Sequence, residues 1–341
     1  MPSFRTGTVT ELLQERRGLQ RVGTTLGRAF VLTDLTGPVD VGDDVVLNTT
    51  AVDLGLGTGG WHIVHWNLAR RGWVEPGPGH IMKLRYTSLQ RDTGAHEEAI
   101  AELPPELAGT PVVACTVHSQ VACVAAAVAH ARPGTRLAYV MTDGAALPIA
   151  VSDLVATLTE RALLAGTITA GHAFGGDLEA VTVPSALLLA RAVLEADAIV
   201  VGMGPGVVGT GTGLGTTAIE ASGVLDAADA IGGDPILAVR ASSGDARDRH
   251  RGISHHALTV LRLVRAQVTV PLPVGFEGRD PRPPDLDRHA IEEVDVPDMG
   301  SVLDRAGLRV TTMGRGPATD PLFFAAAGAA GILAANRVEA S

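Results

Sequence analysis

The pattern of apolar and polar positions changes character near residue 111. Before it, short β-rich runs are separated by turn-forming pairs and by the proline- and glycine-rich segment Glu75–Gly79. Short strands at this spacing are typical of a small antiparallel barrel or sandwich. We predict its strands at Thr6–Leu13, Leu19–Leu26, Arg28–Leu35, Asp44–Thr49, Trp61–Asn67 and His80–Thr87.

From Pro111 onward, apolar strand candidates alternate with Ala- and Leu-rich helices. Continuously apolar strands indicate a sheet buried on both faces, and the alternation predicts a layered α/β domain with a mostly parallel sheet. Strands are expected near Val112–Val117, Leu137–Met141, Ala198–Val201, Ile236–Ala241, Gln267–Val270 and Leu308–Thr312. Helices are expected near Gln120–His130, Ser152–Ala165, Ser185–Glu195, Thr216–Ile231, His255–Val264 and Leu322–Ala335. The predicted organisation is a β-rich domain at 1–95, a linker at 96–111 and an α/β domain at 112–341.

Composition narrows the class of partner. The chain has 341 residues, a formal net charge of -10, 41 glycines and only 3% aromatic residues. Its core must therefore be built from small aliphatic side chains. The acidic balance disfavours nucleic acid, because affinity for phosphate backbones comes largely from Lys and Arg contacts.

The same survey predicts a soluble, cytoplasmic protein with no membrane span. The N-terminus lacks the apolar core of a signal peptide, and the 2 cysteines are too few for a disulfide scaffold, so both are expected to be buried. The uncharged segment Pro321–Asn336 is shorter than the roughly 18 residues of a spanning helix and is predicted to be a buried C-terminal helix. Its small residues and the tryptophans at 61, 66 and 73 favour a homodimer, although burial within one subunit explains the helix equally well.

Polar residues follow several predicted strands. Ligands of open α/β sheets bind beyond the carboxyl ends of the strands, so these residues are expected to line one cleft. The alternative is that strand ends simply turn, and turns are polar. Candidates of this kind are His118, Ser119 and Asp143.

A glycine-rich stretch, GMGPGVVGTGTGLG, follows the third of these strands at residues 202–215 and is called the glycine loop below. It contains a GxGxxG match, but it runs on past the third glycine, and the acidic residues Asp226 and Asp229 fall in a predicted helix. A standard dinucleotide fingerprint is therefore excluded. Glycines still allow backbone N–H groups to approach an anion closely. A crossover loop that needs close packing is the alternative. The predicted anion ligands are Gly204, Gly206, Gly209 and Thr210.

The segment DARDRHRGISHH at Asp245–His256 combines two carboxylates, three arginines and three histidines. Ser254 is a plausible N-cap, which places the last two histidines in the first turn of a helix, where the dipole favours neutral imidazole. Neutral histidine acts as a base, a metal ligand or a donor to an anion. A solvated charged loop, in which the arginines pair with Asp245 and Asp248, is the alternative. The predicted catalytic residues here are Asp245, His250, His255 and His256.

A second His-and-carboxylate group is GHAFGGDLE at Gly171–Glu179. Its paired glycines allow a turn that presents His172, Asp177 and Glu179 together. Such a set binds a divalent cation or performs acid/base chemistry. A purely structural turn is an equally good interpretation.

Lys83 is the one lysine among the 27 basic residues. Arginine does not replace lysine where a compact ammonium or a deprotonable amine is needed. The motif GHIMKLRY therefore favours Lys83 as an anion contact or a reactive amine and Arg85 as an anion contact, with chance retention of the lysine as the alternative.

Several long motifs together resemble one family. They are NTTAVDLGLGTGG, GHIMKLRYTSLQ, YVMTDGAALP, TAGHAFGGDLEAV, GMGPGVVGTGTGLG and DARDRHRGISHHAL. The chain is similar, from about Gly7 to Ala335, to an uncharacterised bacterial family common in actinobacteria, domain of unknown function 3866. That resemblance implies no activity, substrate or catalytic residue.

Two functions remain open at this point. One is an enzyme of hydrolase or transferase type that acts on a small anionic, phosphorylated metabolite, with or without a divalent metal ion. The other is a non-catalytic ligand-sensing or assembly subunit, in which the glycines serve close packing and the histidines are structural.

Overall fold

The computed structural model describes residues 2–57, 59–100, 102–276 and 287–338. The chain divides into two compact units. The first comprises Met1–Gly94 with Pro148–Val151, and the second comprises Ala95–Leu147 with Ser152–Ser341.

The first unit is built on a closed five-stranded barrel, which decides between the predicted barrel and sandwich. Its strands pair in the order β1-β2-β3-β5-β4, with β3 and β5 parallel and the other pairs antiparallel. Alternate apolar residues, among them Val22, Val45 and Val64, fill the interior. The strands are β1 (Phe4–Arg16), β2 (Leu19–Thr24), β3 (Gly27–Val31), β4 (Asp44–Asn48) and β5 (His62–Asn67), with short helices α1 (Thr33–Thr36) and α2 (Thr50–Asp53) between them.

The sixth predicted strand, His80–Thr87, does not join the barrel. Only β6 (Met82–Lys83) is extended, and it pairs with β7 (Arg91–Asp92) in a separate two-stranded ladder. Leu84 and Tyr86 adopt φ of 51° and 61°. These left-handed conformations end the strand after two residues.

The second unit contains an eight-stranded sheet in which every neighbouring pair is parallel. The order is β11-β10-β9-β12-β8-β13-β16-β17, so the first strand of this unit, β8, lies near the centre. A two-stranded antiparallel ladder of β14 and β15 stands apart from this sheet. The strands are β8 (Pro111–Cys115), β9 (Leu137–Thr142), β10 (Gly166–Thr169), β11 (Leu178–Glu179), β12 (Ala198–Met203), β13 (Asp234–Ala238), β14 (Ala241–Ser242), β15 (Gly252–Ile253), β16 (Thr269–Pro273) and β17 (Ala290–Val294).

Helices cover both faces of this sheet, which confirms the layered α/β fold. One layer contains α3, α4, α8 and α9, which pack on one another, and the other contains α5, α6 and α7. The helices are α3 (Ser119–Ala131), α4 (Asp153–Glu160), α5 (Val183–Ala192), α6 (Glu220–Ala230), α7 (His255–Leu263), α8 (Met299–Arg305) and α9 (Pro321–Arg337).

The segment Leu308–Thr312 is not a strand, so that prediction is wrong. Leu308 and Val310 are buried, which explains the apolar pattern, but the segment forms only an isolated bridge between Thr312 and Arg315. Conversely, the sequence pattern missed β10, β11 and β17. The first two are short, and β17 carries two glutamates at the edge of the sheet.

The C-terminal helix α9 is a core element, as its composition predicts. It packs against α3, α8 and the strands β13 and β16, and Phe323 and Phe324 are almost completely buried. Within the described part of the chain, no helix has both the length and the apolar character required to span a membrane. Both cysteines, Cys115 and Cys123, are buried and free.

Candidate functional site

The predicted site residues that follow strands lie along one edge of the sheet. Strands β10, β9, β12, β8 and β13 are consecutive neighbours and parallel, so their carboxyl ends stand side by side. We call this the carboxyl edge. The segments that leave it carry His172, Asp143, the glycine loop, His118 and Asp245.

Three histidines meet beyond the end of β13. Ser254 caps α7, its hydroxyl accepting the His256 N–H, and this sets His255 and His256 in the first turn. A short 3-10 helix, Asp248–His250, returns His250 to the same place. The ring centroids lie 4.1 to 5.1 Å apart. We call these three residues the histidine cluster.

The histidine cluster is largely removed from water. His250 is 1% and His256 is 7% exposed. Burial, and then the charges of Arg240 and Arg247, lower the pKa of His250 to about 3. Burial and the neighbouring His255 lower the pKa of His256 to about 4. The imidazoles are therefore neutral at physiological pH, with lone pairs available to accept a proton or to bind a metal ion.

Two ring nitrogens of the cluster have no hydrogen-bond partner in the described structure. They are His255 Nε2 and His256 Nδ1, and both are buried. His250 Nδ1 lies 2.7 Å from the Ser254 hydroxyl. One ring nitrogen from each histidine lies within 4.8 Å of those of the other two. This group is the part of the structure best suited to hold a metal ion.

Asp245, the predicted carboxylate partner of these histidines, is engaged by arginines instead. Arg247 binds it with two contacts of 2.9 and 3.0 Å, and Arg315 donates to it at 3.2 Å. Arg240 lies 3.5 Å away. Hydrogen bonds from Arg247 hold the pKa of the Asp245 carboxyl below its usual range. Asp245 is thus buried among arginines, whereas Asp248, Arg249 and Arg251 are exposed to solvent. The ion pairs of Arg247 with Asp245 and of Arg251 with Asp248 are those expected for the charged-loop alternative.

Asp320 ties the same segment to the start of α9. It is fully buried and accepts hydrogen bonds from the Ser242 hydroxyl at 2.6 Å and from Arg315 Nε at 3.0 Å. Sequence reasoning missed Asp320, because its partner Ser242 lies 78 positions away and no local pattern joins them.

The structure brings the glycine loop to the histidine cluster. A Cβ added to Gly209 would lie 3.5 Å from His256 Cε1. The loop folds back on itself, with Gly209 bridged to Thr216 and the Thr210 N–H bonded to Gly215 O at 2.7 Å. The Thr210 hydroxyl lies 2.9 Å from that of Thr212.

The other two predicted anion-binding glycines have different surroundings. A Cβ on Gly204 would lie 2.4 Å from Ala146 O, so a side chain there would collide with backbone. Gly206 adopts φ of 98°, a conformation that favours glycine, with open space where a side chain would be. Close packing against Ala146 therefore requires glycine at position 204, whereas the backbone conformation favours glycine at position 206.

His118 lies at the start of the same loop. A carbonyl only accepts, so Nδ1–H donates to Met203 O at 2.9 Å, and Nε2 then accepts from the Ser152 hydroxyl at 2.7 Å. Burial lowers the pKa of His118 to about 4. Ser152 is 4% exposed and caps α4, so its hydrogen bond with His118 links the start of α4 to the start of α3. The neighbouring candidate Ser119 is the first residue of α3.

A carboxylate pair lies where β9 ends. Asp143 accepts the His172 backbone N–H at 3.0 Å. Glu220, the first residue of α6, is hydrogen-bonded to Thr142 and to the Gly144 backbone, and burial raises the pKa of its carboxyl. The sequence survey missed Glu220, because nothing in the pattern shows that the start of α6 returns to β9.

Asp177 and Glu179 stabilise their own turn. Asp177 accepts from the Thr167 N–H and hydroxyl at 2.9 and 2.8 Å. Glu179 accepts from the Gly175 N–H and the Thr169 hydroxyl, both at 2.7 Å. These contacts favour the structural interpretation of that motif.

Lys83 and Arg85 belong to the first unit. Lys83 lies opposite Arg91 in the β6–β7 ladder and is only 2% exposed, whereas Arg85 is exposed. Their role as anion contacts stays a prediction.

A surface cavity of about 610 Å³ lies at the opposite, amino-terminal edge of the sheet. Its lining includes three acidic residues, Glu102, Glu195 and Asp197, and one basic residue, Arg191. A lining with three acidic side chains does not suit an anionic ligand, so the carboxyl edge is the better candidate.

The comparisons with known proteins give a family and no further relative. No curated protein and no solved structure matches the chain. One family model matches residues 28–331, which is most of the chain. The chain therefore belongs to the family described as "Protein of unknown function (DUF3866)".

Proposed function

We propose that this protein is an enzyme of hydrolase or transferase type that acts on a small anionic, phosphorylated metabolite at the carboxyl edge of the eight-stranded sheet. The observation that carries the proposal is the close approach of the glycine loop to the histidine cluster. A Cβ built onto the Gly209 backbone would lie 3.5 Å from His256 Cε1. The glycine loop therefore passes directly beside a neutral imidazole of the cluster.

Local charge supports an anionic ligand. Five arginines, at 240, 247, 249, 251 and 315, gather around the segment, against three aspartates, at 245, 248 and 320. This positive surplus occurs in a chain whose net charge is -10. A local positive field in an otherwise acidic protein concentrates anions at that place.

Two kinds of group at the edge suit such a reaction. The histidines of the cluster are neutral and offer lone pairs to a metal ion or hydrogen bonds to an anion. The Glu220 carboxyl, whose pKa is raised by burial, retains its proton to a higher pH than an exposed glutamate and so serves as a donor. The glycine loop leads from the end of β12 toward Glu220 through one short 3-10 helix.

A ligand screen followed by a turnover assay tests the proposal. Purified protein is first screened by thermal shift against a panel of phosphorylated metabolites. A ligand at a hundredfold excess over its dissociation constant stabilises the fold by about 2.7 kcal/mol. The compounds that stabilise it are then assayed for phosphate release or group transfer.

His255→Ala is the test variant, and His130→Ala, at an exposed position at the end of α3, is its matched control. We expect turnover to fall at least a hundredfold in His255→Ala and to stay at the wild-type level in His130→Ala. Binding without turnover would favour a ligand-sensing subunit. No stabilisation by any compound would favour an assembly subunit, and either result would contradict the proposed enzyme.

A further inference from the structure

We propose that His250, His255 and His256 bind one transition-metal ion, with zinc as the best fit, through one ring nitrogen each, leaving a fourth coordination position for a ligand. The site is that of the proposed function, and the part the metal would play in a reaction rests on that function. Metal binding itself does not, and it is measurable without a substrate.

The spacing of the three histidines suits a single metal ion. The three candidate nitrogens lie within 4.8 Å of one another. Zinc–nitrogen bonds of about 2.0–2.1 Å in a tetrahedron place neighbouring ligand atoms about 3.3 Å apart. Modest rotation of the rings closes that difference.

His255 Nε2 and His256 Nδ1 are buried and have no hydrogen-bond partner in the described regions. Leaving a buried polar atom without a partner destabilises the folded protein. A metal ion satisfies all three imidazole lone pairs at once. A single water molecule has only two protons to donate.

Metal-bound histidines characteristically donate their second ring N–H to a nearby acceptor, which fixes the ring. His250 Nδ1 lies 2.7 Å from Ser254 Oγ, and Ser254 is fully buried. In the tautomer that carries its proton on Nδ1, His250 donates to this hydroxyl, and its Nε2 lone pair is left for the metal.

The donor set selects the class of metal. Magnesium and calcium prefer oxygen ligands, whereas zinc accepts three histidines and keeps a fourth position open in catalytic sites. The nearby carboxylate of Asp245 is occupied by arginines. Across residues 2–57, 59–100, 102–276 and 287–338, no other group of three or more His, Cys, Asp or Glu side chains has its ligating atoms so close together.

The neighbouring positive charges have a consequence for the fourth ligand. Burial, and then the charges of Arg249 and Arg240, lower the pKa of His255, and the same two arginines oppose a bare cation at the cluster. An anion at the open position offsets both charges. A metal-bound hydroxide or a phosphate oxygen is thus favoured over a neutral ligand.

The decisive experiment measures metal binding to the full chain after removal of metals with a chelator. Isothermal titration with ZnCl₂ should give one ion per chain. Titration with Co²⁺ should produce the strong visible absorption of a tetrahedral site. His255→Ala and His256→Ala should each bind zinc at least a hundredfold more weakly, and Ser254→Ala should bind it about 10- to 100-fold more weakly.

His130→Ala is the control and should bind zinc as the wild type does. Circular dichroism of each metal-free variant checks that the fold is retained, and the Co²⁺ spectrum of the wild type keeps the test valid if a variant does not fold. The proposal is overturned if the wild type binds no stoichiometric metal, if Co²⁺ gives only a weak octahedral spectrum, or if His255→Ala binds zinc unchanged.

Failure here is distinguishable from failure of the proposed function. Zinc binding without any turnover would contradict the enzyme and leave the metal site intact. Turnover by a protein that binds no metal would support the enzyme and contradict the metal site.

Discussion

At the scale of single residues, burial decides the protonation state of the carboxyl edge. His118 is held neutral between Met203 O and the Ser152 hydroxyl. Glu220 is shifted the other way, toward its protonated and also neutral form. Both shifts follow from removing a charged form from water, and each makes stability depend on pH in a defined direction.

Replacing His118 should flatten the acid side of the stability curve. Its pKa of about 4 in the folded protein lies below the ordinary value of 6.5, so its contribution is present above pH 6.5 and is lost as pH falls toward 4. We expect the free energy of unfolding to fall less between pH 6.5 and 4 in His118→Asn than in the wild type. Urea titrations at several pH values measure this. The same pH slope in both proteins would contradict the assignment, and His130→Asn is the exposed control.

Replacing Glu220 should have the opposite pH signature. Its folded pKa is raised, so the stability that it contributes is present at low pH and is lost as pH rises through the folded value. Glu220→Gln keeps an uncharged side chain at all pH values. The variant should gain stability relative to the wild type as pH increases from 4 to 8, measured by denaturant unfolding. Equal pH profiles would refute the shift, and Glu160→Gln, at the exposed end of α4, serves for comparison.

At the scale of elements, the sequence predicts what local patterns encode. Five barrel strands and the long helices follow from periodicity, and α7 begins where Ser254 predicts its cap. The pattern does not reveal β17, whose sequence AIEEV is polar at the sheet edge. It also mistakes the buried Leu308 and Val310 for a strand, because burial and ladder pairing leave the same apolar signature.

The candidate site was predictable where it is local in sequence and not where it is assembled by the fold. The three histidines lie within seven positions, so the segment itself reveals them. Glu220 and Asp320 reach the carboxyl edge only through tertiary contacts, and no spacing rule points to them. The engagement of Asp245 by Arg315, 70 positions away, was hidden for the same reason.

Two glycines in helices test the packing between elements. A Cβ on Gly331 in α9 would lie 2.5 Å from Val124 O and 2.7 Å from Ala127 Cβ in α3. Gly331→Ala should therefore destabilise the protein by about 1–3 kcal/mol. Gly223 in α6 has nothing within 4 Å of its added Cβ, so Gly223→Ala should stabilise by up to about 1 kcal/mol. Urea unfolding of both variants measures the difference, and a Gly331→Ala protein as stable as Gly223→Ala would contradict this packing.

At the scale of the whole molecule, the homodimer stays a prediction, with less to support it. The expectation rested in part on the apolar surface of α9. That surface is covered within the second unit by α3, α8 and the sheet. Light scattering of the purified chain gives the mass directly. The prediction is a dimer, and a monomer of 35.1 kDa at micromolar concentration would contradict it.

We propose one ligand site at the carboxyl edge, where this acidic chain has a local surplus of arginines. The most direct test is a crystal structure of the protein grown with ZnCl₂ and inorganic phosphate, with diffraction data recorded above the zinc absorption edge. We predict one strong anomalous peak bonded to His250, His255 and His256, with a phosphate or water oxygen as the fourth ligand on the side of Gly209. An ordered histidine cluster without a peak, or zinc bound only at other surface residues, would contradict the account.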